Sequence, residues 1–253
     1  PLILNSDKSK LSKRQGDVAV EDYLIKGYLP EALVNFVALL GFNPTGDREI
    51  YTMDELIQAF DLSRVNKSGA VFDRTKLDWM NGQYIRSVDS SRLFQLAGPF
   101  WGATELSDEK KQKILSVEKE RLTTLADLKE RSQTYIELPE YTADALVWRA
   151  ADAKDALTHL QRIEKLLDSI DFSTRELIEG AIKKYIGDNG YQNGNVLWPL
   201  RVALSGQTKS SGPFDLLWVL GAIESTRRIA LAIAIPAMLA GTRSNVYYLV
   251  CST

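Results

Sequence analysis

The sequence has one cysteine, Cys251, and one histidine, His159, among its 253 residues. A lone cysteine excludes an internal disulfide, which suits a reducing compartment, and a cytoplasmic protein is expected. One cysteine and one histidine cannot build a structural zinc site, so no metal centre is expected. No signal-peptide pattern is present, and the first residue is Pro1 rather than methionine, which reads as a piece of a longer protein. Long apolar runs are scarce. The most apolar stretch, Arg228–Ala240, is well short of the roughly 20 residues that cross a bilayer, and Pro236 interrupts it. A buried terminal helix is expected there, and no membrane partner. Excess charge of either sign is also lacking. The 31 Lys and Arg face 33 Asp and Glu, for a net charge of −2. That excludes a uniformly basic nucleic-acid binder, so any RNA contact must come from local basic patches. No G-x-G-x-x-G or P-loop pattern occurs.

What is present is mostly helical periodicity. Leu33, Phe36, Val37 and Leu40 recur at helical spacing between Pro30 and Gly41. Thr52-Met53-Asp54-Glu55 is a capping-box pattern ahead of Leu56, Ile57 and Phe60. Lys76–Asn81 predicts a third helix. Ser107-Asp108-Glu109-Lys110 opens a polar helix with Ile114, Val117 and Leu122 as its apolar stripe. Leu138-Pro139-Glu140 breaks the pattern, Ala143–Trp148 and Asp152–Ile170 resume it, and Asp171-Phe172-Ser173 turns the chain into Thr174–Tyr185. Gly187–Gly190 and Asn193-Gly194-Asn195 are read as loops. Leu197–Leu204 is read as a helix with Pro199 in its first turn, and Phe214–Leu220 and Glu224–Leu239 as two more. Val246–Val250 is read as a short strand. The five tryptophans, Trp79, Trp101, Trp148, Trp198 and Trp218, are expected mainly in cores, and His159 in a structural or surface role.

The sharpest chemical feature is Lys10-Leu11-Ser12-Lys13-Arg14. With Lys8 it forms a compact cationic stretch able to meet a polyphosphate, where mobile ammonium groups would stabilise charge developing in phosphoryl or adenylyl transfer. The bland alternative is a solvated basic run.

That segment resembles the signature loop of class I aminoacyl-tRNA synthetases, in the form seen in bacterial-type glutamyl-tRNA synthetases. Its surroundings resemble the same family. These are Pro1–Asn5, Gly16-Asp17-Val18, Gly27–Leu33, Asn35-Phe36, Leu39-Leu40-Gly41, Phe72-Asp73, Lys76-Leu77, Trp79, Asn81, Tyr84-Ile85, Pro199–Gly206 and Gly212-Pro213. The resemblance implies a mainly α, elongated, multi-domain piece. It would hold the loop and a stem-contact segment (1–88), a first helical anticodon-binding domain (89–145) and a second one with an unmatched tail (146–253). It implies that Lys10 and Lys13 serve catalysis and that Ser12, Lys13 and Arg14 hold ATP, with Mg²⁺ screening the phosphates in the intact enzyme. The reaction implied is ligation of glutamate to tRNA(Glu) through glutamyl-adenylate, by a protein commonly monomeric. Candidate tRNA contacts are Arg74, Lys76, Arg86 and Arg121, with Lys110, Lys111, Lys113 and Lys119 as further basic positions. The family's His-x-Gly-His signature is absent, since His159 stands alone in a helical pattern, so this chain is expected to be inactive by itself. After Arg228 the chain departs from the family pattern. The alternative reading is a stand-alone helical RNA-binding or protein-interaction module without catalysis.

Overall fold

The computed structural model describes residues 2–12, 19–42, 47–102, 104–149 and 151–241, the last six for their backbone only. The expected strand at Val246–Val250, together with Cys251, lies outside the described residues. Helices dominate, as the periodicity implies. The described strands are two short ones, β1 (Ile3–Leu4) and β2 (Ala70–Val71), paired in parallel.

The chain divides into two compact units that interleave in sequence. One takes 1–105 and 118–132, the other 106–117 and 133–253. These packing units do not follow the sequential boundaries expected at 88/89 and 145/146.

In the first unit, α1 (Val20–Ile25) leads to α2 (Pro30–Gly41), α3 (Met53–Ala59), α4 (Arg74–Ser87) and α5 (Ser90–Ala97). Its core gathers Tyr23, Tyr28, Leu33, Phe36, Leu77 and Met80, with Phe72 edge-on to Phe36 at 5.0 Å. The expected capping box forms. Thr52 accepts from the Glu55 amide at 3.2 Å, and the Glu55 carboxylate accepts from the Thr52 amide at 2.7 Å. Val37 departs from the expected buried stripe. It is exposed, as are Ile57 and Phe60, because α2 turns Ala32, Leu33, Asn35 and Phe36 inward and α3 turns Leu56 inward. Asn35 is fully buried and joins three segments. Its amide donates to the Glu49 carbonyl, and its oxygen accepts from the Tyr51 amide and the Tyr84 hydroxyl.

In the second unit, α6 (Asp108–Glu118) supplies Ile114 and Leu115 to a core built with α9 (Ala153–Leu167), α10 (Arg175–Asp188), α11 (Asn193–Ser205) and α12 (Pro213–Gly241). Between them lie the short α7 (Asp127–Arg131), which belongs to the first unit, and α8 (Gln133–Ile136). Helix α9 buries Ala156, Leu160, Ile163 and Leu167, a helical stripe, and with it His159. Two expectations are corrected. Asn193-Gly194-Asn195 is the first turn of α11, so Pro199 sits well inside that helix. A side chain at Gly194 would collide with the Trp148 indole, so the glycine reads as a packing position and not as a loop signal. The gap expected after Leu220 is real: α12 breaks at Gly221, whose φ of 76° only glycine adopts readily. The expected terminal helix continues beyond it and buries Arg228, Ile229 and Ala232. Among the described residues no helix is long and apolar enough to cross a membrane.

Candidate nucleic-acid interface

The segment leading into Lys10 is a tight hairpin hung on β1. Leu4 bridges Lys10 in antiparallel fashion, and the Leu11 amide donates to the Ile3 carbonyl at 3.1 Å. The Asn5 amide donates to the Ser9 carbonyl at 2.8 Å, and the Asn5 side chain reaches the Ser9 hydroxyl at 2.9 Å. Lys8 takes the left-handed backbone that closes the turn, with φ 65°. The Ser9 side chain and amide hold the Asp7 carboxyl below the usual carboxylate range. The result is an ordered platform with the Lys8 and Lys10 side chains exposed to solvent. Ser12 is half-buried and already engaged. Lys13 and Arg14 lie outside the described residues.

The parallel strand pair ties this hairpin to α4. The Phe72 amide donates to the Leu4 carbonyl at 2.8 Å, and Asp73 then caps α4 by accepting from the Lys76 amide at 3.1 Å. Arg74 and Lys76 therefore stand at the end of α4 next to the hairpin strand, and Arg86 stands twelve residues on, about 18 Å along the axis. Arg74 is held firmly. Its guanidinium lies over the rings of Tyr23 and Tyr28, at 5.4 and 5.2 Å, and donates to the Tyr28 hydroxyl at 2.8 Å and to Asp78 at 3.2 Å. Burial and the Asp78 carboxylate, to which it donates, push the Tyr28 hydroxyl pKa up. Lys76 is paired with Glu49 at 2.5 Å. Arg86 donates to the Glu120 carbonyl at 3.3 Å, next to Arg121, which is exposed on the single turn Lys119–Arg121 and has a partner of its own. The structure thus brings Arg86 and Arg121 together at one end of α4 and sets Arg74 and Lys76 at the other.

One residue that organises this surface was visible in the sequence only as part of a family pattern. Asn81 is fully buried, accepts from the Leu29 amide at 2.8 Å and donates to the Thr123 carbonyl at 2.7 Å. It clamps the Gly27–Leu29 turn, α4 and the 122–127 loop into one ledge. Gly27 completes the join. It has φ 81°, its carbonyl accepts from the Leu125 amide, and a Cβ there would lie 2.7 Å from the Leu125 and Ala126 nitrogens. Asp127 closes the loop by accepting from the Thr123 and Thr124 amides at 2.8 and 2.9 Å. The available signal was a polar side chain one turn beyond Leu77 on the apolar face of a helix.

The other basic positions behave differently. Lys111 and Lys113 pair along their own helix with Asp108 and Glu109, and Lys113 lies 5.5 Å from the Trp218 ring centroid. Lys110 is half-buried, and burial together with nearby Arg228 lowers its pKa. Lys119 donates to the Val88 carbonyl at 2.6 Å. Lys111, Lys113 and Lys119 are thus engaged within the protein, and Lys110 is half-buried.

The tryptophans divide as well. Trp101 is core, whereas Trp79 is 44% exposed, contrary to expectation. His159 is buried beside Asp155 and edge-on to Tyr191 at 4.7 Å, and burial lowers its pKa. Among the described residues no group of His, Cys, Asp and Glu is gathered as metal ligands.

Residues 1–79 match the catalytic domain of class I (E and Q) tRNA synthetases, and residues 92–233 match the anticodon binding domain. A glutamate–tRNA ligase of Lachnoclostridium phytofermentans is 38% identical over 236 residues, covering 92% of this chain and 48% of the relative. That of Carboxydothermus hydrogenoformans is 39% identical, covering 90% and 49%. Among solved structures, a glutamate tRNA ligase from Elizabethkingia meningosepticum in complex with its amino acid superposes with TM-score 0.78 at 32% identity, over 92% of this chain and 50% of that one. The chain spans about half the length of the curated relatives it matches. With the anticodon binding domain alone covering more than half of its 253 residues, behind a stretch of the class I (E and Q) synthetase domain, the chain belongs to the glutamyl-tRNA synthetase family.

Proposed function

We propose that this chain is the tRNA-holding part of a glutamate–tRNA ligase, which joins glutamate to tRNA(Glu) through an ATP-derived glutamyl-adenylate. The observation that carries this reading is the order of the two family matches, 1–79 and then 92–233, with an exposed lysine hairpin on the first. The hairpin fits a phosphate site: it is rigid at its base and offers the ammonium groups of Lys8 and Lys10 to solvent. Lys10 and Lys13 would stabilise charge on the nucleotide phosphates, with Ser12 and Arg14 as supporting donors. Mg²⁺, when bound, would neutralise those phosphates in the intact enzyme. Arg74, Lys76, Arg86 and Arg121 would meet the RNA along and beyond α4. The expected functional segments, 1–88, 89–145 and 146–253, stand as functional divisions that need not coincide with packing units. The protein would work as a cytoplasmic monomer.

The test is a filter-binding titration of the chain with tRNA(Glu) across salt. Binding should weaken steeply as salt rises, by about 0.9 log unit per phosphate contacted for each decade of salt. Arg86→Ala and Arg121→Ala should each flatten that slope by about 1. Salt-insensitive or absent binding would favour the protein-interaction alternative. The chain by itself should give no ATP–pyrophosphate exchange, because it has no His-x-Gly-His signature.

A further inference from the structure

Arg149 is the second of two non-glycine residues with left-handed backbone among the described residues, at φ 52°. For an arginine that conformation is strained. Its side chain is exposed, and its guanidinium lies 4.8 Å from the centroid of the Trp148 ring. No carboxylate pairs with it among the described residues, in contrast to Arg48, Arg74, Arg92, Arg131 and Arg175.

The indole beneath it is fixed by other groups. Trp148 packs on Trp198 at 4.7 Å, and Trp198 is locked by donation of its Nε1–H to the Ala145 carbonyl at 2.9 Å. The chain approaches Trp148 closely at Gly194, where no larger residue fits. The turn itself is closed by the Ala151 amide donating to the Trp148 carbonyl at 2.9 Å. None of these contacts needs an arginine at 149. A glycine would satisfy the same backbone with less strain. The guanidinium instead presents a planar cation to solvent, with no carboxylate paired to it among the described residues and its central carbon over an aromatic ring.

We propose that Arg149, backed by Trp148, is a stacking site for an unpaired nucleobase of the RNA. The proposal rests on the RNA-binding reading above. Guanidinium planes and aromatic rings are the platforms on which splayed RNA bases stack, and the edge N–H groups of the same arginine can bond the flanking phosphate. The site lies within residues 92–233, the anticodon-binding match.

Three variants of the chain test it: Arg149→Gly, Arg149→Lys and Trp148→Phe, each measured for tRNA(Glu) affinity and melting temperature. Arg149→Gly should melt at or above the wild-type temperature, yet bind about 5- to 140-fold more weakly, the range for loss of one stacked base. Arg149→Lys keeps the charge but not the plane, and should lose most of that affinity. Transcripts with a single abasic loop position should reveal one nucleotide whose removal costs the same factor and adds nothing to Arg149→Gly. Trp148→Phe, if folded, should fall between. Overturning results are wild-type affinity in Arg149→Gly, or full affinity in Arg149→Lys, which would make the contact a phosphate pairing alone. Absence of salt-sensitive tRNA binding in the wild-type chain would instead overturn the RNA-binding reading itself, and the stacking site with it.

Discussion

At the scale of single residues, the strongest forces act on buried polar groups. Arg228 has no exposed surface and donates to Glu224 at 2.6 Å and to the Thr134 and Leu204 carbonyls at 2.7 Å. Arg228→Ala should destabilise the chain by about 3–5 kcal/mol in urea unfolding, because it leaves two buried carbonyls without their donor and takes from Glu224 one of its two arginine partners. Glu224 is held at about 2, chiefly by its bonds to Arg227 and then to Arg228, while burial opposes. In the unfolded chain it titrates near its ordinary 4.5, so folding is favoured above that pH. That stability should vanish as pH falls from about 4.5 towards 2. With 27% of its side chain exposed, its contribution is about 2 kcal/mol after allowing for solvent screening. Glu224→Gln should show lower stability at neutral pH and a flatter profile across that window in a pH series of melts. Asn81 is the comparable case in the first unit. Asn81→Ala leaves the Leu29 amide and the Thr123 carbonyl without their partner and should cost about 1–3 kcal/mol. It should also weaken tRNA binding, since it loosens the loop that follows Arg121.

At the scale of elements, the local signals in the sequence were largely sufficient. The cap read at Thr52 starts its helix as expected, and Asp73, Asp152 and Thr174 cap three more within a few residues of where the periodicity begins. Thr52→Ala should cost about 1 kcal/mol, read by urea denaturation, and Thr52→Ser much less, because serine keeps the accepting oxygen. The misreadings share one cause. Asn193-Gly194-Asn195 carries loop residues yet opens a helix, because its glycine answers to the Trp148 indole across the fold and not to a turn. Val37, Ile57 and Phe60 have the spacing of buried residues yet stay more than half exposed, Phe60 with the Phe42 ring tilted beside it at 5.5 Å. An apolar recess of about 270 Å³ lies there, lined by Val34, Ala38, Phe42, Leu56, Ile57 and Phe60. Periodicity reports which faces are apolar, whereas burial depends on a partner that periodicity does not name.

At the scale of the molecule, the near-zero net charge constrains how the proposed RNA recognition would work. A chain at −2 has no general attraction for polyanions, so affinity must come from a few placed cations. Unrelated duplex RNA should therefore compete poorly against tRNA(Glu) in a filter-binding competition at moderate salt. Equal competition would point to a nonspecific basic patch. The division into two interleaved units belongs to this scale too. Helix α6 sends 108–117 to one unit, and the chain returns through 118–132 to the other, a path that no local composition shift marks.

What the sequence determined by itself is the helical class, most helix starts, the family and the cationic motif at Lys8–Arg14, because each rests on short-range patterns: spacing, caps and a contiguous motif. Only the tertiary structure decided which cations are available. Nothing in the sequence says that Glu49, Asp108 and Glu109 pair with Lys76, Lys111 and Lys113, or that Arg86 bonds the Glu120 carbonyl. Arg149 reads as one more surface arginine until the fold sets its guanidinium on an indole. Pairing and stacking depend on distances of a few ångströms between side chains, whether neighbours in the chain as Arg149 and Trp148 are or distant as Lys76 and Glu49 are, and those distances exist only once the chain has folded.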